Sequence, residues 1–429
     1  MERAEYCEAF ERVNADFEAT VASYGLPFEE EAREDRALRC AGSRWISENG
    51  GASLRGGNGW LSPACVACRT GERTVTFFAS LRCPKNCYFC FNPNQEDYER
   101  FLQEKRDMVR ELEQAHAAGA CFEYLAITGG EPMLHEADVL AFLERAGQLY
   151  PAAHTRLYTS GYGIDEGSLG RLTEAGLDEI RFSIKLEDDD RERDELRGRI
   201  ALAVGRSFDV MVEMPVIPGT LEVMKRLLLD LAAIGACGIN LLEFCFPLYN
   251  APEFAKRGFK LRKQPYRVLY NYWYAGGLPL ADSEAEALEL LRFAADEQLD
   301  LGVHYCSSDN KNSGQLFQQN AAFLRGGDVR ERYAYLSFDG DDFLLKCAKA
   351  FGSSVEAVRA VLDELAVKRS ESIAYEIDDA VPMISFPLVE VSAITECLPG
   401  AELAQSSQVL EPDDAGYRLR ELAVEPLQG

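Results

Sequence analysis

From residue 72 to about 246 the chain repeats one pattern: a short β-rich run, then a segment of helical length. The runs are RTVTFFAS (73–80), FEYLAIT (122–128), TRLYTS (155–160), EIRFSIK (179–185), FDVMVEMPV (208–216) and GINLLEFCF (238–246). Helices are expected at 95–118, capped by Asn94, and near 136–149, 165–175, 189–204 and 220–234. Strands alternating with helices at this spacing imply βαβ units and a parallel sheet. The expected class is α/β. Six repeats favour a partial (β/α)6 TIM-like barrel over a small open sheet, although periodicity by itself fits both.

The flanks break this rhythm. Residues 1–71 read as an N-terminal extension: an acidic helical stretch to about Arg39, a glycine-rich loop GGASLRGGNG (50–59), then SPACVACRTG with Cys65 and Cys68. Residues 72–306 form the expected barrel domain. Within it, 250–282 is aromatic and aperiodic (Tyr266, Tyr270, Tyr272, Trp273, Tyr274) and reads as a core or lid segment. A helix near 284–298 follows, with Ser283 and Glu286 in a capping-box pattern, and LGVHYC (301–306) looks like one more strand. Residues 307–429 are expected to be a C-terminal α+β domain. It has strand-like YAYLSFDG, a helix opened by Ser353 and Glu356, and β-rich sequence at 373–394.

Charge removes some partners. The chain has 45 Lys+Arg against 71 Asp+Glu, a net charge of −26. That balance disfavours nucleic acid, whose binding needs a basic surface. It also disfavours acidic headgroups. No apolar run reaches the ~20 residues of a membrane span. The acidic start MERAEYCEAF lacks a signal-peptide core. The protein is expected in the cytoplasm, where its 13 cysteines would remain thiols or bind metal.

The most informative segment is LRCPKNCYFCF, residues 81–91. Cys83, Cys87 and Cys90 are spaced C-x3-C-x2-C directly after the first strand, on the first βα loop. In a parallel barrel that loop lies on the face where active sites are built. Three thiolates within eight residues can reach one metal centre. A structural zinc site takes four closed ligands, often two C-x2-C pairs. Iron–sulfur cubanes normally take four cysteines. Three thiols leave one iron free to bind something else.

These residues resemble the radical S-adenosylmethionine (radical SAM) enzymes, whose signature is C-x3-C-x-Φ-C with Φ aromatic. Here Φ is Phe89, which by resemblance would pack on the adenine. A second motif agrees: the second strand ends in Thr128-Gly129-Gly130-Glu131-Pro132. In the family this stretch holds the SAM amino group, with Glu131 the expected partner here. The fourth strand ends in Phe182-Ser183-Ile184-Lys185. In glycyl-radical-enzyme activases, a subgroup, an acid and a lysine at this spacing contact the ribose and carboxylate of SAM. Ser183 departs from the acid, whereas Lys185 fits the carboxylate contact. The resemblance covers about residues 73–246.

It implies a [4Fe–4S] cluster and SAM as cofactors. Reductive cleavage of SAM would give a 5′-deoxyadenosyl radical that takes hydrogen from a small-molecule or peptide substrate. A flavodoxin- or ferredoxin-type reductant would supply the electron. One alternative is an activase acting on a partner protein; another, from a different class, is a non-catalytic iron–sulfur or zinc protein. Cys65 and Cys68, joined by Cys306, Cys347 or Cys245, are candidates for an auxiliary iron–sulfur site. Cys7, Cys40, Cys121, Cys237 and Cys397 are expected to be buried thiols. Tyr158, Glu213, Glu243 and His304 are polar candidates for the interior, with His304 the first choice for catalysis.

Overall fold

The computed structural model describes residues 2–30, 46–48, 53–263, 277–378, 380–414 and 416–427. Their contacts divide them into two units. One combines the described residues of 24–263 with 277–311, and the other combines 2–23 with the described residues of 312–427. The aromatic residues named in the segment expected as a core or lid element, Tyr266 to Tyr274, fall outside the described residues, as does Cys40.

The larger unit is mixed α/β. Its strands are β1 (Thr74–Phe78), β2 (Tyr124–Thr128), β3 (His154–Thr159), β4 (Glu179–Phe182), β5 (Asp209–Val216), β6 (Gly238–Glu243) and β7 (Gly302–Cys306). They pair in parallel and in chain order. β7, the further strand expected at 301–306, extends the six repeats by one. β4 and β7 are buried along their whole length, as a parallel sheet covered on both faces requires.

The helices are α1 (Met108–Ala117), α2 (Glu136–Leu149), α3 (Glu166–Glu174), α4 (Asp190–Ala203), α5 (Leu221–Ile234) and α6 (Ser283–Asp296). Local chemistry sets several ends. Asp165 forms a capping box with Ser168, and Asp189 accepts from the Glu192 amide. Gly235 ends α5 in the left-handed conformation, at φ 84°. Apolar faces of these helices bury Phe142, Leu172, Ile200 and Leu228 against the sheet.

Four expectations are corrected. The helix expected at 95–118 is broken into Tyr98–Gln103 and α1. Between them the chain returns to β1: the Arg106 amide donates to the Ala79 carbonyl at 2.8 Å, and its guanidinium lies 4.4 Å over the Phe78 ring. Asp107, not Asn94, then caps α1 through the Arg110 amide. The glycine-rich 50–59 segment is not all loop. Ser53–Gly57 is a strand antiparallel to β7. A Cβ on Gly57 would sit 1.9 Å from the Leu301 carbonyl oxygen, so glycine permits this approach.

The expected capping boxes do not form. Ser283 instead bridges the ends of β5 and β6, donating to the Val216 carbonyl and accepting from the Phe244 amide, each at 2.8 Å. Glu286 accepts from the Gly219 amide at 2.5 Å. The helix Val355–Arg369 likewise starts at Ser354 without a side-chain cap. Finally, Cys121 and Cys397 are exposed, because one sits in a connecting loop and the other at a helix end.

The smaller unit is α+β. An antiparallel sheet contains the paired strands Leu403–Asp413 and Gly416–Pro426, with Leu345–Phe351 at its centre. The expected strand YAYLSFDG shrinks to Ser337–Phe338, and the β-rich stretch at 373–394 includes strands Glu376–Asp378 and Met383–Phe386. Helix Arg3–Ala22 packs on the last strand of this sheet.

Candidate active site

The loop after β1 carries Cys83, Cys87 and Cys90, and all three line one cavity of about 750 Å³. They also line a second, deeper cavity of about 290 Å³, with Phe89, Gly129, Gly130 and Lys185. The expected cysteines, the aromatic residue, the glycine pair and the lysine are thus brought together. Burial pushes the Cys83 and Cys87 thiols up, and Lys185 partly offsets this at Cys87.

Two sets of contacts fix the cysteine loop. On one side it packs on the end of β2. The Gly130 amide donates to the Ser80 carbonyl at 3.0 Å and the Glu131 amide to the Arg82 carbonyl at 2.7 Å. A Cβ on Gly130 would lie 1.9 Å from that Arg82 oxygen, and one on Gly129, at φ 113°, would lie 2.6 Å from the Phe78 Cβ. The glycine pair is demanded first by this loop-on-loop fit. On the other side, the segment after β6 holds the loop: the Tyr249 hydroxyl donates to the Cys90 carbonyl, and Asn250 Nδ2 donates to the Tyr88 carbonyl at 3.0 Å. Phe89 is wedged edge-on against Tyr88 and Phe244, with centroids at 5.0 and 5.5 Å.

Glu131 is 1% exposed and lines neither cavity. Its carboxylate accepts from the Met133 amide, the Thr159 hydroxyl, and the amide and hydroxyl of Ser160, at 2.5–3.1 Å. It ties the turn to the end of β3. Pro132 opens a short 3-10 helix and is buried beside it. Ser183 accepts from Lys185 Nζ at 2.8 Å, and that ammonium lies 5.5 Å from the Phe89 ring centroid.

Tyr158, Glu213 and Glu243 line the deeper cavity. His304 does not line either cavity. It is 3% exposed, with Nδ1 donating to Asn240 Oδ1 at 2.7 Å and Nε2 accepting the Ser53 hydroxyl at 2.9 Å. Burial pushes its pKa down to about 4. Asn240 passes the network to Glu213 at 2.8 Å, and Glu213 pairs with Arg181 at 2.6 Å. Arg181, buried in β4, also pairs with Glu179. Sequence reasoning did not single out Arg181. Its signal was a pair of opposite charges two positions apart, Glu179 and Arg181, on one face of a short buried strand.

The remaining cysteines sit elsewhere. Trp60 covers the first residues of β6 and β7: a Cβ on Gly302 would be 2.4 Å from its carbonyl oxygen, and one on Gly238 2.8 Å from its ring. Ser62 donates to Glu179, the first residue of β4, at 2.5 Å. Helix Pro63–Cys68 follows, and Cys65 Sγ accepts from Arg181 at 3.4 Å. This segment caps the end of the sheet opposite the cysteine loop. Cys306 is buried and accepts from Asn310 at 3.2 Å. Cys245 lines the deeper cavity. Cys347 is buried in the smaller unit, beside Gln408.

Among the described residues no three His, Cys, Asp or Glu side chains converge to hold a single metal ion. A cubane places each thiolate on a different iron, so its ligands need only line one pocket. Cys83, Cys87 and Cys90 meet that condition. The donor set, three soft thiols on one loop, suits iron–sulfur chemistry.

Residues 79–235 match the radical SAM superfamily model. These residues therefore carry a radical SAM superfamily domain. The family uses a [4Fe–4S] cluster and SAM. A protein of Methanocaldococcus jannaschii, named as a candidate glycyl-radical enzyme activating enzyme, is 25% identical over 367 residues; the match covers 81% of this chain and 92% of the relative. Streptococcus suis SuiB, solved with its precursor peptide SuiA, superposes with TM-score 0.41 at 15% identity, over 61% of this chain and 54% of SuiB, about half that protein's length. Escherichia coli coproporphyrinogen III oxidase gives TM-score 0.37 at 13% identity, over 67% of this chain and 66% of the oxidase. Structural likenesses this loose carry no functional argument. No described helix of the chain is long and apolar enough to cross a membrane.

Proposed function

We propose that Cys83, Cys87 and Cys90 hold the cluster and that the deeper cavity beside them receives SAM and a small-molecule or peptide substrate. The observation that carries this reading is that the three thiols, Phe89, the glycine pair and Lys185 line one cavity. When bound, the cluster supplies one electron to the SAM sulfonium, releasing methionine and the radical that abstracts hydrogen. The chain's own residues position the reactants. Phe89, clamped by Tyr88 and Phe244, offers a fixed face to the adenine. The Lys185 ammonium, held by Ser183, meets the carboxylate of SAM. Glu131 acts indirectly, by locking the turn that carries Gly129 and Gly130 to Thr159 and Ser160. The parallel strands support the partial-barrel reading, with the site at their C-terminal ends. A flavodoxin- or ferredoxin-type protein is the proposed electron donor.

The test is anaerobic. The reconstituted chain, given SAM and dithionite, should produce 5′-deoxyadenosine, and Cys83→Ala, Cys87→Ala and Cys90→Ala should each abolish it. Absence of product from the wild type would sink the reading. Iron remaining on the triple variant tests the auxiliary site: about four atoms per chain would support a second cluster, with Cys65 and Cys68 as its first candidates. None would remove it.

The second reading, activation of a partner protein, is favoured by the named role of the M. jannaschii relative. It predicts a radical EPR signal on a partner glycine instead of a modified small molecule.

A further inference from the structure

The charges in the deeper cavity do not balance. Four cations reach it: Lys85, Arg181, Lys185 and Lys311. Two carboxylates do: Glu213 and Glu243. Lys85 pairs with Asp188 at 2.8 Å and Glu192 at 3.2 Å. Arg181 is spent on Glu179 and Glu213. Glu243 is taken by Arg262 at 2.7 Å and by the Ser308 amide at 2.7 Å. Two ammonium groups are left without a carboxylate among the described residues. Lys185 donates to the Ser183 hydroxyl, and Lys311 donates to the backbone carbonyl of Glu243 at 3.2 Å.

This is an uneconomical arrangement for a chain of net charge −26. Acidic partners are abundant elsewhere on the molecule. A part-buried ammonium that meets only a carbonyl is poorly compensated for lost hydration. It is well compensated once an anion arrives. Under the function proposed above, on which this inference rests, Lys185 receives the carboxylate of SAM. SAM has one carboxylate, so Lys311 remains.

We propose that Lys311 binds a carboxylate of the substrate and thereby sets its orientation against the cysteine loop. Lys311 lies in the first turn of the helix that follows β7, and its carbonyl partner belongs to the last residue of β6. Next to it the wall offers the neutral Cys245 thiol, 3.1 Å from the Ser308 hydroxyl, and the Glu243 carboxylate is already paired with Arg262. One ammonium beside neutral groups matches a single negative charge. A phosphate dianion would call for further cations. The substrate class is therefore a carboxylic acid, whether a free amino or hydroxy acid or an acidic side chain of a peptide.

The test uses the full chain, reconstituted anaerobically and saturated with SAM, so that Lys185 and the open iron are covered. The probes are acetate and the equally small but neutral acetamide, titrated by ligand-observed NMR. Acetate should bind at least about tenfold more tightly than acetamide, as expected for a hydrogen bond to a charged group. Lys311→Met should reduce acetate to the acetamide level, and Lys311→Arg should keep most of the difference.

Equal binding of the two probes to the wild type overturns the proposal, as does undiminished acetate binding by Lys311→Met. Thermal unfolding shows whether Lys311→Met folds. If it does not, the wild-type comparison and Lys311→Arg still decide. Formation of 5′-deoxyadenosine by the wild type checks the parent reading separately. Product without an acetate preference defeats only the carboxylate assignment, whereas no product defeats the parent reading whatever acetate does.

Discussion

His304 shows how a chemically attractive residue can be consumed by the fold. Both ring nitrogens are occupied, one by Asn240 and one by Ser53. The buried ring is neutral in the folded chain, with its pKa pushed down from 6.5 to about 4. In the unfolded chain it takes up a proton below about 6.5, so between 6.5 and 4 the unfolded state binds more protons. Stability from this site is full above pH 6.5 and is lost as pH falls toward 4. The whole effect is roughly 3 kcal/mol, at about 1.4 kcal/mol per pKa unit. Thermal unfolding followed across that window should show a slope that flattens in His304→Gln. Glu131 teaches the same lesson: its identity was legible within the GGEP motif, but its four donors come from the last residue of β3, from Ser160 just after it and from its own turn. Nothing in a one-dimensional motif says which side a carboxylate will face.

At the scale of elements, the strands were readable because each is a compact apolar run bounded by turns, and burial on both faces leaves no other use for it. The loop anchors were not. Tyr249 and Asn250 are far in sequence from Cys90 and Tyr88, and their hydrogen bonds go to carbonyls, which carry no residue identity. Removing the Tyr249 hydroxyl should cost about 1 kcal/mol of loop order. Tyr249→Phe should therefore lose iron to a chelator severalfold faster than wild type. Gly130→Ala should be far worse. The added methyl collides with the Arg82 carbonyl and must displace the loop, and a displacement of about 1 Å at a reacting centre costs on the order of a hundredfold. Its 5′-deoxyadenosine rate is the measurement. The broken 95–118 helix was misread because its apolar periodicity is genuine. What interrupts it is a backbone hydrogen bond from Arg106 to β1.

At the scale of the molecule, the smaller unit joins the two ends of the chain. Helix Arg3–Ala22 lies on the last strand, where the Tyr6 hydroxyl donates to Glu421 at 2.6 Å and Lys349 pairs with Glu421 at 2.7 Å. Both charged side chains are largely buried. Glu421→Ala would strand the lysine and should destabilise this unit by about 3 kcal/mol, against about 1 kcal/mol for Tyr6→Phe. Urea unfolding of the two variants would check the ratio. A helix at the start of the chain gives no sign that its packing surface arrives some 400 positions later. The strands that close this sheet are mostly polar on one side, so their hydrophobic signal is weak.

The fit of Gly130 beneath Arg82 has a consequence for how tolerance to mutation is interpreted. A saturation scan will find this position closed to every side chain, and the natural temptation is to count it as a cofactor contact. The clash lies within the polypeptide, so the same intolerance should appear in a screen for folding or expression carried out without iron or SAM. Lys311 should behave in the opposite way, tolerant in the folding screen and sensitive only when turnover is selected. Comparing the two screens position by position would sort residues that build the pocket from residues that use it.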